Sequence, residues 1–352
     1  MTAPTVTARR DEGDAAPRPV PWRRMAGVTW RQHRIALAGV AVLLGALAVW
    51  LWSIGTPLHR AYAAAVACHP ASSLACQNLV STFNVSATNH AMGSKGPGGV
   101  LLQLLPALIG AFAGAPVLAR ELETGTFRYA WTQGIGRLRW TVGKLVPLAV
   151  AVTAVAGAFT VLIAWYNQPW VAAGYVTPFS ARVFDLLGVA FGAWTLAAFA
   201  IGVLAGTLIR RVVPAIAATL AVYAGLAFTA GAFLREHYLA PLVTTSNNFN
   251  LPGAGTAWTI SQWSTKDGRF AFAGGNPPLN LINQFCSSLP AAKAGPPGSF
   301  GQCLAQHGYT QWTSYQPASR FWPFQWIEGG WLLALSALLI AATIWLVRRR
   351  AA

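Results

Sequence analysis

The chain has 352 residues, of which 55% are hydrophobic and 10% charged, with a mean hydropathy of +0.45. A soluble domain carries about a quarter of its residues as charges, so this composition excludes an ordinary soluble fold and points to a polytopic membrane protein. Its formal net charge of +16 fits Arg and Lys retained in cytoplasmic loops, so a nucleic-acid partner is not expected.

In chain order, residues 1–20 are rich in Ala, Thr and Pro and have too little to bury, which predicts a disordered tail. Between 21 and 34, Trp22, Met25, Ala26 and Thr29 share one helical face, and Arg23, Arg24, Arg31 and Arg34 the opposite one. That pattern predicts an interfacial helix whose basic face meets lipid phosphates; a plain basic flank is the alternative. The run 35–54 is long enough to span. Ala65-Val66-Ala67-Cys68 resembles a lipoprotein cleavage box but lies well past that run, so the first span is retained.

Five further apolar runs follow, at 100–118, 145–166, 183–209, 212–234 and 331–347. Their flanks divide the cations unequally. Seventeen of the 25 Lys and Arg fall on the side that holds both termini, the connection 119–142 and the Arg210-Arg211 pair. The positive-inside rule therefore places both termini in the cytoplasm of a multi-pass plasma-membrane protein.

All four cysteines fall on the opposite side, Cys68 and Cys76 in the first outer loop, Cys286 and Cys303 in the last. In an oxidising compartment the simplest pairing is local, Cys68 with Cys76 and Cys286 with Cys303. Zinc, helped by His59, His69 and His90, competes, but the spacings match no paired ligand motif. Residues 235–330 are aromatic-rich, unlike a disordered segment, and predict a small folded outer domain.

No Walker A sequence, H-E-x-x-H or G-x-S-x-G occurs, so neither nucleotide nor catalytic chemistry is expected in this chain. Asp185 is the one acid inside an apolar run, and Arg182, three residues earlier, is its expected partner. Lys144 is expected to snorkel at the start of the third span. The connection 119–142 carries Glu121, Glu123, Gly125, Thr126 and Arg128, then Arg137, Arg139 and Trp140. Gly125 predicts a break between two short helices there. Mixed charge with Tyr129 and Trp131 suits docking to a partner protein, while a solvated loop on lipid headgroups is the bland alternative.

"RELETGTFRYAWTQGIGRLRW" (120–140) resembles the cytoplasmic loop of ABC-2 type transporter permeases, the membrane subunits of type V ABC exporters. "FGAWTLAAFAIGVLAGTLIRRVVPAIAATL" (191–220) resembles their fourth and fifth spans, and "YQPASRFWPFQWIEGGWLLAL" (315–335) the entry to the last span of actinobacterial members. The resemblance implies an all-α membrane protein with six transmembrane helices, an N-terminal interfacial helix, a short cytoplasmic coupling helix and a large extracellular loop between helices 5 and 6. It implies an ABC ATPase subunit that binds ATP and magnesium, a second permease half, and no cofactor in this chain. Glu121, Glu123, Gly125, Thr126 and Arg128 would contact the ATPase, with Arg23, Arg24, Arg137, Arg139 and Trp140 as interfacial anchors against membrane lipid. The cargo would be hydrophobic or amphiphilic. A non-transporting scaffold or sensor with a ligand-binding outer domain, and a membrane enzyme using His59, His69, His90 or His237, are the competing readings.

Overall fold

The computed structural model describes residues 22–89, 97–125, 136–246, 255–286 and 299–350. The expected tail at 1–20, Thr126 and Arg128 lie outside the described residues, as do the side chains of Arg23 and Arg24. The molecule is mostly helical. Among the described residues five helical segments are long and apolar enough to cross a membrane: Leu102–Thr124, Arg137–Ala172, Gly188–Ile209, Val212–His237 and Ala318–Arg349.

Helix α1 (Trp22–Ala67) is unbroken through both the expected interfacial helix and the expected first span. Nothing at the junction, "RQHRIALAG", can stop a helix, so the boundary drawn at Arg34 marks a change of polarity and not of structure. At 1.5 Å per residue such a helix is about 69 Å long, more than twice the ~30 Å hydrocarbon thickness. Helix α2 (Leu74–Asn89) folds back on it and is joined to its end by the Cys68–Cys76 disulfide.

Helix α3 (Pro97–Ile109) continues through a π-helical turn (Gly110–Gly114) into α4 (Ala115–Thr124). The wide turn ends two residues before Pro116, which has no N–H to donate to the preceding turn. α4 ends at Gly125, whose φ of 71° is the left-handed cap conformation that glycine adopts without steric cost. The next described helix, α5 (Arg137–Ala172), starts at Gly136 and not near Leu145, so Lys144 lies two turns inside it. A short α6 (Ala181–Phe184) precedes α7 (Gly188–Ile209). Left-handed Arg210 (φ 58°) and extended Arg211 then form an elbow into α8 (Val212–Thr229).

α7 is apolar on every side and packs against α4, α5, α8 and the last helix, as an all-round hydrophobic helix must. Its Gly202 and Gly206 lie in backbone contact with Gly110 and Ala115 across α4 and the π turn. A second π turn (Ala230–Leu234) ends α8, and Arg235, which directly follows it, is buried.

The segment after α8 departs from the all-helical expectation. It contains a four-stranded antiparallel sheet in the order β1-β4-β2-β3, from β1 (Leu242–Ser246), β2 (Trp258–Lys266), β3 (Arg269–Ala273) and β4 (Tyr309–Gln316). β2 and β3 form a hairpin turned by Asp267 (φ 48°) and Gly268 (φ 79°), the Asp-Gly pair that two-residue hairpins favour. Helices α9 (Leu279–Phe285) and α10 (Ser299–Gln306) lie between β3 and β4 and are joined by Cys286–Cys303. Phe272, Cys286, Leu304 and Tyr309 make a small core beneath them. That core is modest, so the crosslink is expected to contribute about 2–3 kcal/mol to this unit. C286S/C303S should therefore raise protease cleavage within 255–316 while leaving the helical bundle resistant, read by limited proteolysis and mass mapping.

Helix α11 (Phe321–Arg350) follows β4 through a 3₁₀ turn and begins at Phe321 rather than Trp331. The sheet is anchored at this junction. Gln316 Nε2 donates to the Leu239 carbonyl (2.7 Å), and Arg320 Nη1 to the Ala240 carbonyl (2.6 Å). Trp258 stacks on Phe179 (6.0 Å) and meets Phe324 edge-on (6.2 Å).

Candidate functional site

Two charged sites lie at opposite ends of the bundle. At the arginine-rich end, α4 ends beside the starts of α5 and α8. Glu121 forms an ion pair with Lys144, which is buried and lies 4.9 Å from the centre of the Trp140 ring. Lys144 is therefore not a snorkelling cation. α5 begins two turns before it, which takes its ammonium to the α4 surface instead of the water boundary. Glu123, two residues on, is exposed and accepts the Val212 N–H at the first turn of α8 (3.1 Å). That N–H is one of the donors a helix start leaves unpaired, and a carboxylate there also meets the positive end of the helix dipole. Arg137 reaches the Arg348 carbonyl at 3.5 Å, so the end of α11 belongs to the same face. Trp140 is buried and Arg139 half-buried.

The other end holds a cluster that the sequence reading missed. Arg235 and Glu328 are 2% and 0% exposed and form a two-point contact, Nε to Oε2 at 3.0 Å and Nη2 to Oε1 at 2.7 Å. The same Arg235 pairs with Asp185, and its guanidinium lies 4.2 Å from the centre of the Phe184 ring. Asp185 thus takes a partner from after α8. It lies in the turn between α6 and α7, and the side chain of Arg182, its expected partner, lies outside the described residues. It precedes the span, and loss of solvent pushes its carboxyl above the usual carboxylate range, Arg235 opposing and Glu328 adding to the rise.

Glu328 accepts two further hydrogen bonds, from Trp194 Nε1 (2.8 Å) and the Tyr238 hydroxyl (3.2 Å), and that hydroxyl accepts from Trp331 Nε1 (2.9 Å). Gln325, one turn earlier, donates to the Phe184 carbonyl and accepts from the Ala190 N–H, each at 2.9 Å. These partners join α6, α7, the end of α8 and α11 just below the sheet. A buried charge with this many partners fixes relative helix positions and offers no free reactive group. The signal available in the sequence was Glu328 itself, an acid among "FWPFQWIEGGW", whose aromatic flanks are as apolar as the span that follows.

His59 and His237 lie apart, and His90 is outside the described residues. His59 stacks on Trp165 (4.5 Å between ring centres) and bonds its carbonyl at 2.8 Å, and exposed His237 bonds the Phe233 carbonyl at 2.7 Å.

The family model described as "ABC-2 membrane transporter related" matches residues 41–235, more than half of the chain. No curated protein and no solved structure matches. The matched stretch begins within α1, takes in both acids of α4 and the elbow before α8, and ends at Arg235. With five span-length apolar helices among its described residues, this multi-pass membrane protein belongs to the ABC-2 membrane transporter related family.

Proposed function

We propose that the chain is the membrane subunit of an ABC exporter, with the apolar part of α1 as the first of six spans. The observation that carries this reading is the family match over 41–235, which contains the whole connection between the second and third spans. The arginine-rich end is the cytoplasmic one, an orientation supported by the 17 of 25 cations on that side, and the sheet is extracellular. Both termini are then cytoplasmic. A separate ABC ATPase supplies ATP and magnesium chemistry, and a second permease half completes the translocation path for a hydrophobic or amphiphilic compound.

Glu121 and Glu123 already have partners within the chain. The proposal therefore gives them the base of the coupling loop and assigns the ATPase contact to the residues beyond Gly125, Thr126 and Arg128 among them. Arg23, Arg24, Arg137 and Arg139 hold the flanking helices at the lipid boundary, whereas Trp140, expected as a fifth anchor, is buried in the bundle over Lys144.

The test is co-expression with the ABC ATPase encoded beside this chain. Co-purification and an ATP hydrolysis rate raised several-fold over the ATPase alone are expected. An intact, monodisperse permease that neither binds nor stimulates it would remove the energy source from this reading. The anchored sheet favours one second reading, an outer ligand sensor, for which ligand binding without ATP-dependent flux is the expected result.

A further inference from the structure

Among the described residues, the two acids at the end of α4 make polar contacts of unequal strength with neighbouring helices. The Glu121–Lys144 pair is largely buried, and the Trp140 ring lies over the ammonium. A pair so placed joins α4 firmly to α5, because breaking it would strand a buried charge. The Glu123 contact is a single charge-assisted hydrogen bond on an exposed carboxylate, and it reaches a different span.

α7 is buried over most of its length, whereas α8 is largely exposed, and a two-residue elbow separates them. The first N–H of α8 is bonded by Glu123 across the space between helices. α4 also packs against α8, and at the end of α4 displacement reaches α5 through the buried ion pair and the first turn of α8 through this hydrogen bond.

Resting on the reading above, we propose that Glu123 is the positioning residue through which the coupling loop moves α8. Its partner is a backbone donor, so the decisive variant is V212P, which deletes the N–H. Val212 is the first residue of α8, where proline is tolerated, and Arg211 before it has φ −133° and ψ 132°, the conformation a residue preceding proline prefers.

The experiment compares native chain, V212P, E123A, E123Q and E123A/V212P, each reconstituted in liposomes with the ABC ATPase encoded beside this chain. V212P is expected to co-purify with the ATPase as the native chain does, yet to lose about tenfold in permease-stimulated ATP hydrolysis, a typical coupling between sites. E123A should fall equally, and the double variant no further, because both delete one bond. E123Q keeps an acceptor oxygen and should retain most of the stimulation, an arm that does not depend on the proline. Native-level stimulation by V212P, effects of E123A and V212P that multiply, or equal loss in E123Q and E123A would each overturn the inference while leaving the transporter reading intact. A native chain that binds and stimulates no ATPase overturns that reading, and this inference with it.

Discussion

Replacing Gly202 by valine is expected to abolish the folded bundle. A Cβ at that position would lie 2.2 Å from the Gly110 carbonyl oxygen and 2.8 Å from the Ala115 nitrogen. Carbon and oxygen approach normally to about 3.3 Å, so the two helices would have to part by on the order of 1 Å. The obstructing atoms are backbone, and no change of rotamer relieves them. The crossing is close along its length: a Cβ at Gly206 would meet the Ala115 carbonyl oxygen at 2.3 Å, at Gly110 the Ala198 oxygen at 2.4 Å, and at Gly114 the Phe199 oxygen at 2.6 Å. Separation at Gly202 therefore sacrifices packing at all four sites, and α7 is the helix against which α4, α5, α8 and α11 pack. Overpacking in a dense interior costs about 1–3 kcal/mol, and a wedge at a backbone contact belongs at or above the top of that range. Gly157 and Gly225 provide the control, because a Cβ at either meets nothing within 4 Å. G157A and G225A should give monodisperse protein in mild detergent with an unchanged or slightly higher melting temperature, and G202V little or none.

The second large effect is expected at Glu328. Glu328→Ala removes the bidentate partner of buried Arg235 and leaves Trp194 Nε1 and the Tyr238 hydroxyl without their acceptor. Breaking a buried ion pair from one side costs about 3–5 kcal/mol, mostly the penalty of stranding the other charge. Asp185 still faces the guanidinium, so Arg235 retains part of its compensation. E328A should therefore lower the melting temperature strongly, and E328Q, which keeps the shape and an acceptor, less so. The double variant R235M/E328L should recover much of the loss, because it removes both charges together. A double variant as unstable as the sum of the singles would show that the cluster's value lies in its hydrogen bonds to Trp194 and Tyr238 rather than in its charge balance.

Five of the six expected spans recur as span-length apolar helices among the described residues because each is an apolar run, and their ends were misplaced where a polar residue is buried with a distant partner. α11 starts at Phe321 because Gln325 and Glu328 are bonded to α6, α7 and the end of α8, from residues more than ninety positions away. A single sequence carries no record of such pairings. Lys144 was misread for the same reason, since local position offered a surface role whereas the fold supplied Glu121; Asp185 likewise gains the distant Arg235, a partner local spacing could not name. The sheet is a different case. "WTISQWSTKDGRFAFA" holds two strand-forming runs around an Asp-Gly turn, a local signal sufficient for a hairpin. In the connection 119–142, the two acids were legible as a charged feature of an apolar chain, but their inward engagement required the helix starts at Arg137 and Val212.

In the function proposed above, residues beyond Gly125 dock an ABC ATPase in the cytoplasm while the sheet faces out. A photo-crosslinking amino acid placed at position 128, and separately at Phe270, which is 68% exposed on the sheet, tests it in native membranes. The account predicts an adduct of permease with ATPase from position 128 and none from position 270. An ATPase adduct from position 270, or none from position 128 when the two proteins co-purify, would contradict it.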